Sequence, residues 1–542
     1  MKRILKYTFA AAVALTAVGC ADDYLDTEPT NAISDEQLIA DVENYGPVIN
    51  GISQLMITQQ SYYGQGYCGM STVLIRLGDM CGNDYHMEAL GGYNSCNMVL
   101  CVNNESAYSS YAWWFLYEVI GNANRVLATI DQASGDESLR DLYKAQALTY
   151  RAYAYYYLVQ IFGERWMDSN NGASDGVVLR LDATTDPMPL STLAQCYTQI
   201  YKDCDDAIGL FEASGQSVTD FYLPSINMAY GVKARAALSR EDWETAATAA
   251  EKARSGYNLM SQDDFAAGFC NANEEWIYGG FASSEENMWY YTFGCYFGYN
   301  GYYSKNAYNV VGNRQLVDQF ADTDVRKSLF LHQNLFPYDR FVQGKTVGTY
   351  AWAYGTAEAT ALQKNMFNYM MSLPGFKALY DATGYYPVRP SIYNQLKFGV
   401  FDLPGVSQQC FMRAAEMYLI EAEALCKQAT KDENKAADLL YTLNSARDEA
   451  YTKTTATGQT LIDEILLTRR MELWGEGFGW FDLKRLGASI ERHSYYEQDA
   501  NGECLGTFGR QFAVTVGPND SGTNDWVWVI PKAETQYNNL IE

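Results

Sequence analysis

Within RRMELWGEGFGWFDLKRLG, residues 469–487, Glu472 and Glu476 stand four apart, and Asp482, four basic groups and four large aromatics share the run. On a helix this spacing stacks two side chains on one face. A retaining glycoside hydrolase holds its two carboxyls about 5 Å apart, a separation that such a pair can approach. Glu472 and Glu476 are therefore candidates for hydrolytic chemistry. Arg469 and Arg470, however, lie within one turn and keep glutamates ionised, whereas an acid catalyst needs a raised pKa. The alternative is a structural clasp. In it, Glu472, Glu476 and Asp482 pair with Arg469, Arg470, Lys484 and Arg485, while Trp474, Trp480 and Phe481 pack a late helix onto the body.

Other chemistries find little support. The three histidines, His86, His332 and His493, are far apart, and H-E-x-x-H, G-x-S-x-G and the P-loop pattern are absent. The 12 cysteines include no C-x-x-C pair and no Cys/His cluster of zinc type, so no metal or cofactor is expected. A net charge of −26 repels nucleic acid and anionic membrane surfaces but does not discourage a neutral carbohydrate. Tyr (44) outnumbers Phe (23) and Trp (11) together, which suits half-exposed surfaces that grip a ligand.

The start of the chain carries an export signal. Lys2, Arg3 and Lys6 precede the apolar run from Phe9 to Val18, which is too short to span a bilayer. Ala17-Val18-Gly19-Cys20 resembles a lipobox, in which the cysteine is acylated and becomes the new N-terminus. Residues 1–19 thus read as a signal peptide, Cys20 as the lipid anchor and 20–33 as a tether. A single domain is expected over 34–542.

The elements that position the rest are mostly helical. Ser34 and Gln37 form a capping box that opens a helix running toward Met56. Residues 61–105 read as loop. Helical pairs are expected over about 106–256 and 411–487, with the small-residue faces found in tetratricopeptide repeats. Between them, from about 281 to 390, glycines and aromatics multiply in a long loop-rich insertion, and loops of such length are usually functional.

Several stretches together resemble the SusD-like (RagB-type) outer-membrane lipoproteins. They are CADDYLDTEPT after Cys20; the first-helix pattern through Trp113, Tyr117, Ile120 and Asn124; the centre at Arg151, Ala152 and Tyr153; and the helix with Arg413, Ala415, Glu416, Tyr418, Leu419, Ala422 and Glu423. The opening run adds Arg469, Glu472, Leu473, Glu476, Gly477, Trp480, Phe481, Asp482 and Leu483, and VWVIPKAE adds Trp528, Ile530, Pro531 and Glu534. One departure is Gly479, where the family often carries arginine or histidine. The resemblance implies a mainly α fold, a tetratricopeptide-like helix-pair superhelix with a loop-rich, partly β ligand-binding face. It also implies an outer-membrane lipoprotein, facing the cell exterior, that binds a glycan or sometimes a peptide. Such a protein covers a TonB-dependent transporter and delivers nutrient without cleaving it.

Ligand residues are expected in three places. In FASSEENMWYYTFGCYFGYNGYY, residues 281–303, flat rings suit the C–H faces of pyranoses, with Trp289, Tyr296 and Tyr299 the choices; the alternative is that these rings pack into the body. In residues 75–87, Asp79, Asn83, Asp84 and Tyr85 offer hydrogen-bonding groups, against a reading as turn chemistry. The third is Trp352 in YAWAY. Asp79 and Asp84 alone are too few oxygens to specify a Ca²⁺ site.

Overall fold

The computed structural model describes residues 34–59, 67–87, 103–283, 292–303, 310–332, 357–387, 392–402, 404–502, 504–508, 513–517 and 526–541. Cys20, Trp289 and Trp352 lie outside the described residues.

Helix α1 (Asp35–Ala40) opens on the expected capping box: Ser34 Oγ accepts the Gln37 N–H at 3.2 Å, and Gln37 Oε1 accepts the Ser34 N–H at 3.0 Å. The helix does not continue to Met56. Asp41, a residue that caps helices well, accepts the Glu43 N–H at 3.0 Å and starts a short turn before α2 (Tyr45–Leu55).

The early stack follows as α3 (Ala107–Thr129), α4 (Glu137–Phe162), α5 (Leu193–Ser214), α6 (Ile226–Arg240) and α7 (Trp243–Ala253), each packed on the next. Asp242 caps α7 through the Thr245 N–H, as expected from sequence. The region read as a loop-rich insertion also contains α8 (Ala357–Ser372) and α9 (Pro374–Thr383). The late stack is α10 (Ala414–Lys427), α11 (Glu433–Ser445), α12 (Gly458–Glu472) and α13 (Gly479–Leu486). Helix α10 packs on α6 and α7 as well as on α11 and α12, so the two stacks are continuous despite the insertion between them. At Gly231 on α6, a Cβ would lie 2.2 Å from Met412 Sδ, so a larger residue there would have to displace the Met412 side chain.

Two small antiparallel sheets frame the insertion. Strand β1 (Tyr85–Met87) pairs with β3 (Val310–Gly312), and β2 (Trp276–Gly280) pairs with β4 (Gln409–Arg413). The chain leaves the early stack through β2 and re-enters the late one through β4. Part of the expected loop over 61–105 is also regular. Thr72–Asp79 forms a short helical segment that is buried on every side, Arg76 and Asp79 included. All nine described cysteines are buried, as small apolar residues are.

Charged side chains join the helices inside the body. Arg151 on α4 binds Asp203 on α5 at 2.6 and 2.8 Å and Asn124 on α3 at 2.9 Å. Arg235 on α6 holds both Glu416 oxygens on α10 at 2.7 Å. Arg485 on α13 holds Glu423 on α10 at 2.8 and 2.9 Å. Removing one partner of such a pair strands a charge in a low-dielectric interior. Arg235→Ala should therefore lower unfolding stability by about 3–5 kcal/mol, whereas the paired replacement Arg235→Met with Glu416→Leu should cost far less. A urea titration of the two variants measures the difference.

Candidate functional site

Glu472 is the last residue of α12, and the chain then turns through Gly475 and Gly477 at φ +77° and +95°. The pair therefore does not share one helix face, as the spacing had suggested. The two carboxylates converge instead on Arg413, where β4 passes into α10. Arg413 Nη1 reaches Glu472 Oε1 at 2.7 Å, and its Nε and Nη2 each reach Glu476 at 2.8 Å. A third carboxylate, Glu275, accepts from Arg413 Nη1 at 2.6 Å and from Arg447 Nη2 at 2.9 Å. Arg447 and Arg326 complete the shell of Glu472, at 3.0 and 3.3 Å, and Lys397 Nζ reaches Glu476 at 2.5 Å. Asp324 pairs with Arg326 at 2.6 Å, so four carboxylates face four cations.

This is a correction to the sequence reading, in which Arg469, Arg470, Lys484 and Arg485 were the expected partners. Only Asp482 pairs as expected, with Arg469 and Arg485, each at 2.7 Å. Arg470 goes to Asp84, and Lys484 donates to the Gln160 and Gly163 carbonyls. The rings behave as a clasp requires: Trp474, Trp480 and Phe481 are buried, with Trp480 between Trp526 and Trp528.

Electrostatics follow the geometry. Burial pushes the Glu472 carboxyl up, but Arg447, Arg413 and Arg326 more than reverse this and hold it well below the usual range. Arg413 and Lys397 likewise overcome burial at Glu476 and lower it. Neither group can carry a proton to a glycosidic oxygen near neutral pH. Both are buried, with Glu472 at 0% exposure. The hydrolase pair of the sequence reading is thus spent on structure.

The expected ligand residues at 79–85 meet this same clasp. Asp79 is buried and accepts the Gly477 and Gly479 N–H groups at 2.6 and 2.9 Å. At Gly479 a Cβ would sit 3.2 Å from the Asp79 carboxylate, a tight approach that the neighbour relieves only by shifting a few tenths of an ångström. Asn83 Oδ1 accepts the Glu491 N–H at 2.8 Å; Asp84 holds Arg470 at 2.7 and 2.9 Å. Tyr85 is buried and stacks on Trp474 at 5.0 Å. The cavity these residues line is only about 60 Å³, room for about two waters at liquid density and too small for a sugar ring. Turn and packing chemistry accounts for Asp79 and Tyr85; the Asp84 side chain is 12% exposed and held by Arg470, and Asn83 is half-buried.

A further correction concerns the tyrosine-rich segment. Tyr296 is 2% exposed and stacks on Tyr303 at 4.5 Å, and Tyr299 is 3% exposed and stacks on Phe376 at 5.4 Å. Large rings beside a new apolar helix gain more from burial than from solvent. Sequence reasoning also missed a groove of about 1010 Å³ along α3, floored by Trp114, Tyr117 and Gly121 and walled by Arg180 and Glu534. Its signal was present, because Trp113 and Tyr117 belong to the first-helix pattern, but that pattern fixes identity without saying which rings line an opening.

Comparison with known proteins agrees with this architecture. A family model described as "Starch-binding associating with outer membrane" matches residues 23–238, and one described as "SusD family" matches residues 275–542. The fold is the helical fold of SusD-like proteins. The chain belongs to the SusD family. Among solved structures it is similar to a SusD-like carbohydrate binding protein from Bacteroides vulgatus, at 23% identity and a TM-score of 0.71, covering 93% of this chain and 97% of that one. It is also similar to a SusD superfamily protein from Bacteroides thetaiotaomicron, at 21% identity and a TM-score of 0.67, covering 93% and 99%. The curated relative SusD-like protein P2 from Formosa agariphila is 27% identical over 159 residues, 29% of this chain and 30% of that protein's length. Among the described residues no helix is long and apolar enough to cross a membrane.

The clasp has two measurable consequences. Trp480→Ala should destabilise by about 3–5 kcal/mol, as buried tryptophan truncation does; normal stability with lost sugar binding would return the site to a ligand role. The second is pH dependence. Burial raises Glu423, but Arg485 and Lys427 bring it down to about 2 in the fold, below about 4.3 in an unfolded chain, so its stabilisation is lost as pH falls through that window. Burial raises Asp79 to about 7 despite its two N–H donors, so stability falls as pH rises from about 4 to about 7 and then levels off. Asp79→Asn should flatten that decline in a plot of thermal midpoint against pH; an unchanged slope would show Asp79 ionised throughout.

Proposed function

We propose that this chain is a surface lipoprotein, anchored in the outer membrane through Cys20. In this reading it binds a glycan and passes it, uncleaved, to a TonB-dependent transporter. Membership of the SusD family supports the glycan and the membrane. The absence of catalysis rests on one observation: the carboxylate pair at Glu472 and Glu476 is buried and neutralised by Arg413, Arg447, Arg326 and Lys397. Ligand contacts are assigned to the loop-rich face, through Asn83, the Asp84–Arg470 pair beside it, and Trp289 and Trp352. Tyr296 and Tyr299 support that face from within. The helical stack is left free to dock the transporter.

Affinity electrophoresis against a set of neutral polysaccharides, together with reducing-sugar assays, tests this reading. Retardation without sugar release is the expected result. Glu476→Ala should unfold or weaken the protein and change no activity, since none is present to lose. Sugar release by the unaltered chain that Glu476→Ala abolishes would restore the enzyme. Binding to peptides alone would make this a peptide-binding member of the family.

A further inference from the structure

The groove along α3 has two ends, and one of them is the start of the helical body. It runs from Ser110 and Pro531 to Arg125 and Asp35, and Asp35 directly follows Ser34, where the described residues begin. Arg125 pins that end, reaching Asp35 Oδ1 at 3.0 Å. Trp113 Nε1 donates to Glu534 at 3.2 Å and joins the C-terminal wall to the helix. The opposite wall is the strap before α5, held by Asn124 Nδ2, which donates to the Arg180 and Asp182 carbonyls at 2.9 and 2.8 Å. The trough is therefore braced on both sides.

Apolar groups collect along it. Trp114 and Tyr117 are half-buried on the floor. Beside the walls, Leu181, Val529 and Tyr537 are 45%, 38% and 83% exposed. An apolar rim of this kind marks a docking surface. The charges narrow the occupant. Asp35, Glu118, Asp182 and Glu534 line the groove against Arg125 and Arg180, so an acidic occupant is disfavoured.

The chain's own tether fits in length and in charge. Between Ser110 and Arg125 the helix rises about 22 Å. An extended chain from Asp35 back to Pro29 covers about 20 Å. The intervening run, PTNAIS, carries no charge, and the acidic residues Glu28, Asp26, Asp23 and Asp22 begin where the groove ends. Pro29 holds Glu28 extended and has no N–H to satisfy, which suits a trough built of helix and loop. Joined to the groove at Asp35, the segment is also present at an effective concentration in the millimolar range, ahead of any weakly bound free ligand.

We propose that residues 29–33 lie in the α3 groove, with Ile33 near Gly121 and Pro29 beside Trp113 and Trp114. The tether then leaves the body at the N-terminal end of α3. Taken with the Cys20 anchor of the reading above, docking shortens the free leash from about 46 Å to about 30 Å. It also fixes the point from which the leash departs, and so which end of the body meets the membrane.

The test uses the mature chain with Cys20→Ser, uniformly labelled with ¹⁵N. Amides free of the body give sharp lines, and amides held to it broaden. Leu25 and Asp26 should stay sharp, while the Thr30 and Asn31 lines should be lost. Gly121→Tyr fills the groove without disturbing the helix: a Cβ there meets nothing within 4 Å, and tyrosine is the better helix former. That variant should restore sharp Thr30 and Asn31 lines without lowering the thermal midpoint. Sharp lines in the unaltered chain overturn the proposal, and so does broadening that survives Gly121→Tyr. Broadening lost on dilution would give the groove to the tether of a second copy, and release of Thr30 by a neutral polysaccharide would give it to a glycan. Either result overturns the segment as resident of its own groove. Retardation by polysaccharide gels decides the glycan reading separately. A Cys20 that carries no lipid removes the leash and leaves the docking standing.

Discussion

Arg413 is the constraint on which the rest of the molecule depends. A guanidinium removed from water must be surrounded by acceptors, and Arg413 finds its acceptors on Glu275, Glu472 and Glu476, which come from two separate parts of the chain. It sits where β4 becomes α10, so satisfying it fixes the end of the insertion, the start of the late stack and the turn after α12 together. Arg447, Arg326 and Lys397 then become necessary, because three carboxylates around one cation would leave net negative charge in the interior. The balance is four against four, and a change at one member is felt by all.

The same logic extends outward through Arg151, Arg235 and Arg485, each spanning two helices or more. Alanine-rich faces let helices approach but specify register weakly, since one small residue resembles the next. Forked arginine–carboxylate pairs supply the missing register, because two parallel hydrogen bonds tolerate little displacement. A stack built in this way is rigid where it carries the loops. A molecule that must present a ligand face without a large sheet beneath it needs that property.

Much of this was legible in the sequence, but unevenly. The helices α3, α4, α6, α7 and α10 announce themselves by apolar spacing, and the ordered motifs identify the family from Trp113 to Glu534. The role of the opening stretch was also legible, since its rings pack as a clasp. Its partners were not. Arg413, Arg447, Arg326 and Lys397 lie tens of residues away from Glu472, and local spacing says nothing about which distant cation a buried carboxylate will meet. The helical segment at Thr72–Asp79 was missed because a short segment buried on every side carries no one-sided apolar period. Tyr296 and Tyr299 were misplaced for a related reason: composition shows that rings are abundant, but only the fold shows which neighbours claim them.

The pairing of β2 with β4 has a consequence for how such proteins diversify. Gly280 and Gln409 lie opposite each other in the ladder, so the 128 residues between them begin and end at adjacent points of the helical body. A segment whose two ends are already neighbours can be lengthened, shortened or exchanged with little loop-closure cost, because closure entropy grows only slowly with length. The limit is set by the charged interior, to which the segment itself contributes Asp324, Arg326 and Lys397. Evolution can thus vary the stretches between these anchors, changing what is captured while keeping the frame that presents it.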